Sequence, residues 1–320
     1  MRTISRRRFL QAGLVAGGPA AGGPAAAGGT AARARPAGRR GPRAGLTRTW
    51  LLPRATFASL SNICLGGRPA VCANAFGQGT TWFSVNYGGP ALPLASPIPA
   101  GYPGVGVLTF QAYQDDSAGL GLVNAVQAGL PQWVQAVQYD AENWDATPMV
   151  EQGAWFSYAQ RFCQLAHSLN LKVVLSPAND LCNNVSNCAY GGHAQYPLRT
   201  GEANYQAYVR YRFAAAAQWL LPGDIYEYQA QALETLGSVG GTSVYETISA
   251  QVARQIPAGS GVIYLTGIGT TAPGWDGATC AQLTTAARSV AGLAAGFWPN
   301  LNATQTQIRP MICMLAGLGY

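Results

Sequence analysis

The second half of the chain alternates strand-like and helical segments, and this alternation limits the possible folds more than any other feature. Strands are predicted at 133–142, 172–176, 224–231, 262–266 and 296–298, with helical patterns between them. Strands that alternate with helices form a parallel sheet. Seven or eight such units in about 270 residues favour a closed (β/α)8-type TIM barrel. The predicted helices are 149–169, 203–221, 244–255, 279–291 and a last helix from 303 onward, interrupted at Pro310.

The first part of the predicted domain, 49–104, is rich in Gly, Pro and Asn and does not divide clearly into units. Its best strand candidate is 81–87, and a second strand at 105–110 precedes a short helix at 120–130. We therefore predict a single barrel domain at 49–320 with an irregular N-terminal part.

The competing architecture is an open doubly wound sheet with a nucleotide site. Such a site needs a glycine-rich phosphate loop between a strand and a helix. The glycine-rich segment 237–241 has neither a Walker lysine nor a GxGxxG pattern, so it is interpreted as an ordinary loop. No cofactor is predicted.

Residues 1–48 are predicted to be an export leader rather than part of the fold. The run from Ser5 to Leu10, SRRRFL, followed by a mildly apolar stretch, is typical of a twin-arginine signal. Residues 17–48 are mainly Ala, Gly, Pro and Arg, without periodicity. The alternative interpretation is a disordered basic tail. The sequence thus predicts a secreted protein that uses the Tat export machinery, with signal cleavage near 25–27 or 32–34.

The positive charge of the chain resides in this leader. The whole sequence carries +7, but residues 1–48 hold ten of the twenty Arg and Lys and none of the thirteen Asp and Glu. The remainder therefore has ten basic and thirteen acidic residues, a net charge of −3. Its basic residues are scattered, which disfavours nucleic-acid binding. No run of eighteen strongly apolar residues follows the leader, so no membrane span is predicted.

Seven cysteines fit an oxidising compartment. Three pairs are spaced so that they could form disulfides. The remaining cysteine lies in a predicted amphipathic helix, where a buried, inert thiol is expected. The candidate pairs are Cys64 with Cys72, Cys182 with Cys188 and Cys280 with Cys313, and the odd cysteine is Cys163.

Two predicted strands carry polar side chains along one face. Side chains alternate along a strand, so Gln138, Asp140 and Glu142 share one face. Buried under helices, such carboxylates would cost several kcal/mol each without partners, so they are expected to point into the barrel mouth. The second strand places Glu227, Gln229 and Gln231 together in the same way. The other predicted substrate-binding residues are Trp144, Asn179, Asp180, Tyr264, Trp275 and Trp298.

Carboxylates among Trp, Tyr, Asn and Gln suit a carbohydrate ligand, because aromatic rings stack on sugar faces while amides and acids bind hydroxyls. We expect Glu142 to be the proton donor, with its pKa raised by Asp140. Glu227 would then be a nucleophile, base or stabiliser. The alternative is a barrel that binds carbohydrate without cleaving it, in which Asp140 and Glu142 form an internal network with Gln229 and Gln231.

Other acidic residues and other chemistries are less favoured. Asp145 and Thr147 are predicted to cap the next helix, and Glu151 to lie in its first turn. The only histidines are His167 and His193, and no GxSxG motif is present, which disfavours a serine triad. Too few His and Cys remain for zinc, and a hard cation held by Asp140, Glu142 and Asp180 has no loop signature. No metal is predicted.

The D-x-E spacing of Asp140 and Glu142 is similar to the end of the chitinase-type barrel motif, although the preceding aspartates and glycines of that motif are missing. In that motif the Asp orients an acetamido group and the Glu protonates the leaving oxygen.

Five segments resemble, in order, a group of secreted bacterial TIM-barrel proteins that are glycoside-hydrolase-like. They are YDAENWDATPMVEQ, KVVLSPANDL, DIYEYQAQ, VIYLTGIGT and GFWPN, spanning about 133–300. The resemblance implies the barrel, export, and a site around Asp140, Glu142, Asn179, Glu227, Gln229 and Gln231. It implies no particular substrate.

Overall fold

The computed structural model describes residues 48–65, 69–89, 94–114, 120–143, 146–182, 196–239, 241–269, 278–299, 301 and 305–320. Side chains at 63–65, 69, 239 and 305–307 are excepted. The predicted leader lies outside these residues apart from Arg48, and so do the candidate site residues Trp144 and Trp275.

Eight parallel strands close into a barrel in which each strand pairs with the next along the chain and the last pairs with the first. This topology confirms the predicted (β/α)8 architecture. The strands are β1 (Thr49–Pro53), β2 (Thr81–Asn86), β3 (Val105–Phe110), β4 (Ala136–Tyr139), β5 (Lys172–Leu175), β6 (Ile225–Tyr228), β7 (Ile263–Ile268) and β8 (Gly296–Pro299).

Helices surround this barrel. They are α1 (Arg54–Leu65), α2 (Pro69–Phe76), α3 (Leu122–Ala128), α4 (Met149–Gly153), α5 (Trp155–Ser168), α6 (Asn204–Arg210), α7 (Val244–Ala253), α8 (Cys280–Ser289) and α9 (Gln305–Gly317). Short 3-10 turns lie at Asn179–Leu181, Phe213–Trp219 and Leu233–Thr235, and Ser238–Val239 pairs with Thr242–Ser243 in a small ribbon.

The structure corrects several predicted boundaries. The segment 49–104 contains a complete strand, β1, and two helices, α1 and α2, that the sequence analysis did not identify. The predicted helix 149–169 is two helices separated at Ala154, and the predicted helix 203–221 ends at Arg210 before a 3-10 segment. Pro310 stands inside α9 and does not end it.

The barrel interior contains an apolar layer made by one side chain from each strand, and this layer supports the polar residues above it. Outside the barrel, aromatic side chains fill the space between sheet and helices, as where Tyr139 stacks on Phe162 of α5 at 4.8 Å between ring centroids. The interior layer consists of Leu51, Trp82, Val107, Ala136, Val174, Ile225, Leu265 and Trp298.

The cysteines partly follow the prediction. Cys280 and Cys313 form a disulfide that joins α8 to α9, with their Cα atoms 5.7 Å apart. Cys72 is also disulfide-bonded, while the side chain of its predicted partner, Cys64, is not among those described.

Among the cysteines whose side chains the structure describes, two have free, buried thiols. Cys163 matches the prediction, and burial raises the pKa of its thiol. Cys182 does not match it, because its thiol is free and the predicted bridge to Cys188 is not formed; Cys188 lies outside the described residues. In the part of the chain that the structure describes, no helix is both long and apolar enough to cross a membrane.

Candidate active site

The inner face of β4 begins the site, as strand alternation predicts. Tyr139 points outward to α5, so its neighbours Gln138 and Asp140 point inward. Both ends of the Gln138 amide have a partner there: its Oε1 accepts from the Thr109 hydroxyl at 2.8 Å and its Nε2 donates to the Ser176 hydroxyl at 3.0 Å. With 1 % exposure, Gln138 belongs to the floor of the site, and its role in substrate binding stays a prediction.

Asp140 accepts a hydrogen bond from Gln229, which follows β6. The Gln229 Nε2 donates to Asp140 Oδ1 at 2.7 Å and to the backbone oxygen of Ser176 at 3.1 Å. Both residues are buried. The structure therefore brings the two predicted polar strands together, and it contains one hydrogen bond of the internal network that the binding alternative requires.

Glu227 lies on the same inner face of β6, between Ile225 in the apolar layer and Gln229. It is fully buried, and neither of its carboxylate oxygens has a hydrogen-bond partner among the described residues. Burial raises the pKa of Glu227 well above its usual value, and the charge of Asp140 raises it further. The Ser176 hydroxyl lowers this pKa, and the charge of Glu142 raises it by a smaller amount. These effects favour the protonated form of Glu227.

Glu142 is the most accessible member of this carboxylate group. It is half-buried, whereas Asp140 and Glu227 are buried. Its backbone N–H donates to the Thr147 hydroxyl at 3.1 Å, and Gln152 donates to the Thr147 carbonyl at 2.7 Å. Thr147 thus fixes the segment that carries Glu142, and it does not cap α4, whose N-cap residue is Pro148. Asp145 lies outside the described residues.

Asn179 and Asp180 extend the site after β5, as predicted. Asn179 Nδ2 donates to the Gln229 carbonyl at 2.8 Å, while the buried Oδ1 of Asn179 has no partner within the described part of the chain. Asp180 Oδ1 accepts from the backbone N–H of Asn143 at 2.9 Å. Burial raises the pKa of Asp180 to about 6, partly offset by that hydrogen bond.

Gln231 reaches the site because its neighbour on β7 is a glycine. A Cβ on Gly267 would lie 2.4 Å from Gln231 Oε1, so only glycine leaves room for this amide. Gln231 Nε2 donates a long hydrogen bond of 3.5 Å to Gln229 Oε1, and among described atoms nothing donates to the buried Gln231 Oε1.

Two aromatic residues do not join the group as expected. Tyr264 is on the outer face of β7, where its hydroxyl donates to the Ser249 carbonyl of α7 at 3.1 Å; this placement corrects its predicted role in substrate binding. Trp298 faces inward but is packed in the apolar layer and is only 6 % exposed.

Three site residues escaped the sequence analysis: Thr109, Ser176 and Gly267. The first two are small hydroxyl residues that resemble ordinary strand residues. Both hydroxyls bind Gln138, and the Ser176 carbonyl also accepts from Gln229. Gly267 did carry a signal, since an isolated glycine within a strand often marks a close approach of another group.

Glu151 serves the scaffold. It lies in the first turn of α4 as predicted, but its buried carboxylate accepts hydrogen bonds from the backbone N–H groups of Tyr113 and Gln114, both at 2.7 Å, and from the Tyr139 hydroxyl at 2.5 Å. It therefore holds the segment after β3 against β4. Asp224, before β6, accepts from His167, Val173 and Leu221 at the opposite face of the barrel.

A metal ion finds no ready-made ligand set in the described residues, which contain no group of three or more His, Cys, Asp and Glu side chains placed to hold one. The candidate site is therefore described by its carboxylates and amides.

Comparisons with known proteins give similar scaffolds but no family. No family model and no curated protein matches the chain. Solved structures similar to it include a chitinase from Chromobacterium violaceum, with 10 % identity, a TM-score of 0.44, and coverage of 84 % of this chain and 99 % of the other. A class V chitinase from Pseudomonas fluorescens has 11 % identity, a TM-score of 0.40, and coverage of 79 % and 94 %. An aldolase from Escherichia coli has 10 % identity, a TM-score of 0.36, and coverage of 80 % and 76 %. Likenesses this distant assign no activity.

Proposed function

We propose that this chain is a secreted glycoside hydrolase-like barrel that cleaves a polysaccharide or glycoconjugate by carboxylate chemistry. The observation that supports the proposal is the convergence of Asp140, Glu142 and Glu227 inside one barrel, close enough for the first two to raise the pKa of the third. A carboxyl whose pKa is raised by burial and by neighbouring carboxylates, near the C-terminal ends of barrel strands, is typical of a catalytic site.

In the proposed reaction Glu142 donates a proton to the glycosidic oxygen, because it is the carboxyl of the three that a substrate can reach. The bond between the anomeric carbon and that oxygen then breaks, and the carboxylate of Asp140 stabilises the positive charge that develops on the sugar. Water adds its hydroxide to the anomeric carbon and returns a proton to Glu142. The aromatic contacts predicted for Trp144 and Trp275 remain predictions.

Glu227 takes the stabilising role among the three that the sequence left open. A carboxyl that keeps its proton is a poor nucleophile and a poor base, and full burial keeps it from contacting the substrate. Glu227 instead keeps the negative charge beneath Asp140 low.

The test is a hydrolysis screen over a broad panel of glycans with the wild type, Glu142→Gln and the control Glu246→Gln. Glu246 lies on α7, outside the barrel, and its substitution removes the same charge. We expect Glu142→Gln to lower the rate by about 10²–10⁴-fold, the usual contribution of a general acid, and Glu246→Gln to retain it. Cleavage that survives Glu142→Gln would make the acid assignment wrong.

The alternative is a carbohydrate-binding barrel without catalysis. It is favoured by the hydrogen bond between Gln229 and Asp140 and by the internal hydrogen bonds of Gln138 to Thr109 and Ser176. A wild type that binds a glycan but cleaves none in the panel would establish this alternative. We further propose that the chain is exported by the twin-arginine route, on the sequence of its leader.

A further inference from the structure

The four residues 140–143, which follow β4 and carry Glu142, lie beyond the regular strand but are held by hydrogen bonds to the segments beside them. The first two continue the pairing of the sheet. The Asp140 N–H donates to the Phe110 carbonyl at the end of β3 at 2.8 Å, and the Ala141 carbonyl accepts from the Ala178 N–H after β5 at 2.9 Å. The start of this segment is therefore fixed on both sides.

Side chains hold the other two residues of the segment. The Glu142 N–H donates to the Thr147 hydroxyl at 3.1 Å, and the Asn143 N–H donates to Asp180 Oδ1 at 2.9 Å. Each of the four consecutive residues thus has a backbone hydrogen bond to a neighbouring part of the chain. Asp180 supplies the last of these bonds, on the peptide that follows Glu142.

Asp180 is itself held in place. It lies in the 3-10 turn Asn179–Leu181 after β5. In the same turn, Asn179 Nδ2 donates to the Gln229 carbonyl at 2.8 Å, while the side chain of Gln229 donates to Asp140. The turn therefore joins the segment after β4 to the segment after β6, and Asp180 is its contact with the first of these.

Backbone N–H groups bind the Asp180 carboxylate. Burial raises the pKa of this carboxyl to about 6, while the N–H groups of Asn143 and of Asp180 itself lower it. A donor that lowers the pKa favours the ionised form. Hydrogen bonds to an ionised acceptor are about twice as strong as those between neutral groups, so the carboxylate is a stronger anchor for the Asn143 peptide than an amide would be.

We propose that Asp180 is a positioning residue that holds Glu142 in place for proton transfer and does not contact the substrate. A reacting group must lie within about 0.5 Å of its productive position, and a displacement of about 1 Å can lower a rate by about 10²-fold. Because the Asn143 peptide directly follows Glu142, loss of its anchor displaces the proton donor. The inference rests on the proposed function in one respect, that Glu142 is the proton donor.

Amide hydrogen exchange, measured by NMR, tests the anchor without any ligand. Asp180→Ala and Asp180→Leu both remove the acceptor, so either serves if the other fails to fold. We expect exchange at the Asn143 amide to become at least about 10-fold faster, because the lost hydrogen bond is to an ionised group. The control Glu246→Ala removes an acidic side chain from α7, outside the barrel, and should leave the Asn143 amide unchanged.

Steady-state kinetics test the consequence, on the glycan of the panel that the wild type cleaves fastest. Asp180→Ala should lower kcat by about 10²-fold and leave KM within about twofold, since a residue that does not touch the substrate does not contribute to its binding. Asp180→Asn keeps an oxygen for the Asn143 N–H and should hold kcat within about 5-fold of the wild type. Thr147→Val removes the hydroxyl that anchors the Glu142 N–H and should also lower kcat without raising KM.

The two measurements separate this inference from the proposed function. If the wild type cleaves no glycan, the hydrolase proposal fails and exchange alone decides the inference: faster exchange at Asn143 supports it. Unchanged exchange at Asn143 in the variants without an acceptor overturns it, and so does faster exchange with an unchanged kcat.

Two kinetic outcomes also overturn the inference. A raised KM with an unchanged kcat in Asp180→Ala would make Asp180 a substrate-binding residue. An Asp180→Asn variant as slow as Asp180→Ala would show that the reaction requires the carboxylate itself and not the anchor that it provides.

Discussion

At the scale of the residue, Glu227 is the most unusual group in the molecule. A fully buried carboxyl without a hydrogen-bond partner in the described structure is unfavourable in either protonation state, and more so when ionised. Groups of this kind are retained where function needs them, at the expense of stability. Glu227 lies directly beneath Asp140 and Gln229, so a role in the candidate site accounts for the stability that this carboxyl costs.

Replacing Glu227 with Gln should stabilise the protein at neutral pH. The folded-state pKa of Glu227 lies above the unfolded-state value, so the folded protein binds more protons, and stability falls as pH rises from the unfolded pKa to the folded one. Gln does not titrate. At pH 7 we expect Glu227→Gln to raise the free energy of unfolding by about 1–3 kcal/mol, measured by urea denaturation.

The same comparison at pH 4 supplies the control. There Glu is largely protonated in both states, so the advantage of Glu227→Gln should shrink towards zero. An advantage of equal size at both pH values would show that Glu227 is not a neutral buried acid in the folded protein.

At the scale of the element, strand alternation predicted the centre of the site, because polar residues on β4 and β6 can be satisfied only on one face. Gln138, Asp140, Glu227 and Gln229 follow from that argument. The same argument could not place Tyr264, because both faces of a parallel strand are buried and VIYLTGI has no polar alternation. The face of β7 that points into the barrel is the one that carries Leu265 and Gly267.

The missed elements also have physical reasons. The first strand, TWLLP, is short and apolar on both faces, and α1 follows it directly at Arg54, without the loop that usually separates such elements. The sequence does indicate the break in the predicted helix 149–169, because Gly153 lies next to it and glycine weakens a helix interior. The end of α6 at Arg210 is marked by neither glycine nor proline.

Gly267→Ala tests the close approach between β7 and the segment after β6. The new Cβ would lie 2.4 Å from Gln231 Oε1 and 3.0 Å from the Ala230 backbone nitrogen, so Gln231 must move and the strand contact must strain. We expect a loss of about 1–3 kcal/mol in unfolding free energy and weaker glycan binding, measured by thermal denaturation and calorimetry.

The matched control for that substitution is Gly292→Ala, at a position where a Cβ has nothing within 4 Å. Gly292→Ala should change the free energy of unfolding by no more than about 0.5 kcal/mol. It should leave the ligand affinity unchanged. If Gly267→Ala behaves like Gly292→Ala, Gln231 does not depend on this glycine.

At the scale of the whole molecule, the Cys280–Cys313 disulfide joins the last two helices across a separation of 33 residues. A closed loop of that length restricts the unfolded chain by about 3–4 kcal/mol in the entropy model. We expect the double variant Cys280→Ser with Cys313→Ser to lower the free energy of unfolding by a comparable amount.

The control for this variant is Cys163→Ser, which alters a buried thiol that crosslinks nothing. A reductant that breaks the Cys280–Cys313 bond should destabilise the wild type. The double variant lacks this bond and should not be destabilised by its loss. If the double variant is as stable as the wild type, the disulfide contributes nothing to the free energy of unfolding.

The pairing of β1 with β8 sets the order in which the barrel is able to assemble. Thr49 lies opposite Gly296, so the seam joins strands about 250 residues apart in sequence, whereas the other strand neighbours are successive along the chain. Contacts this distant pay the largest loop-closure entropy and form late. On a ribosome, β1 therefore waits with one open edge until β8 has emerged, and the barrel cannot close before then.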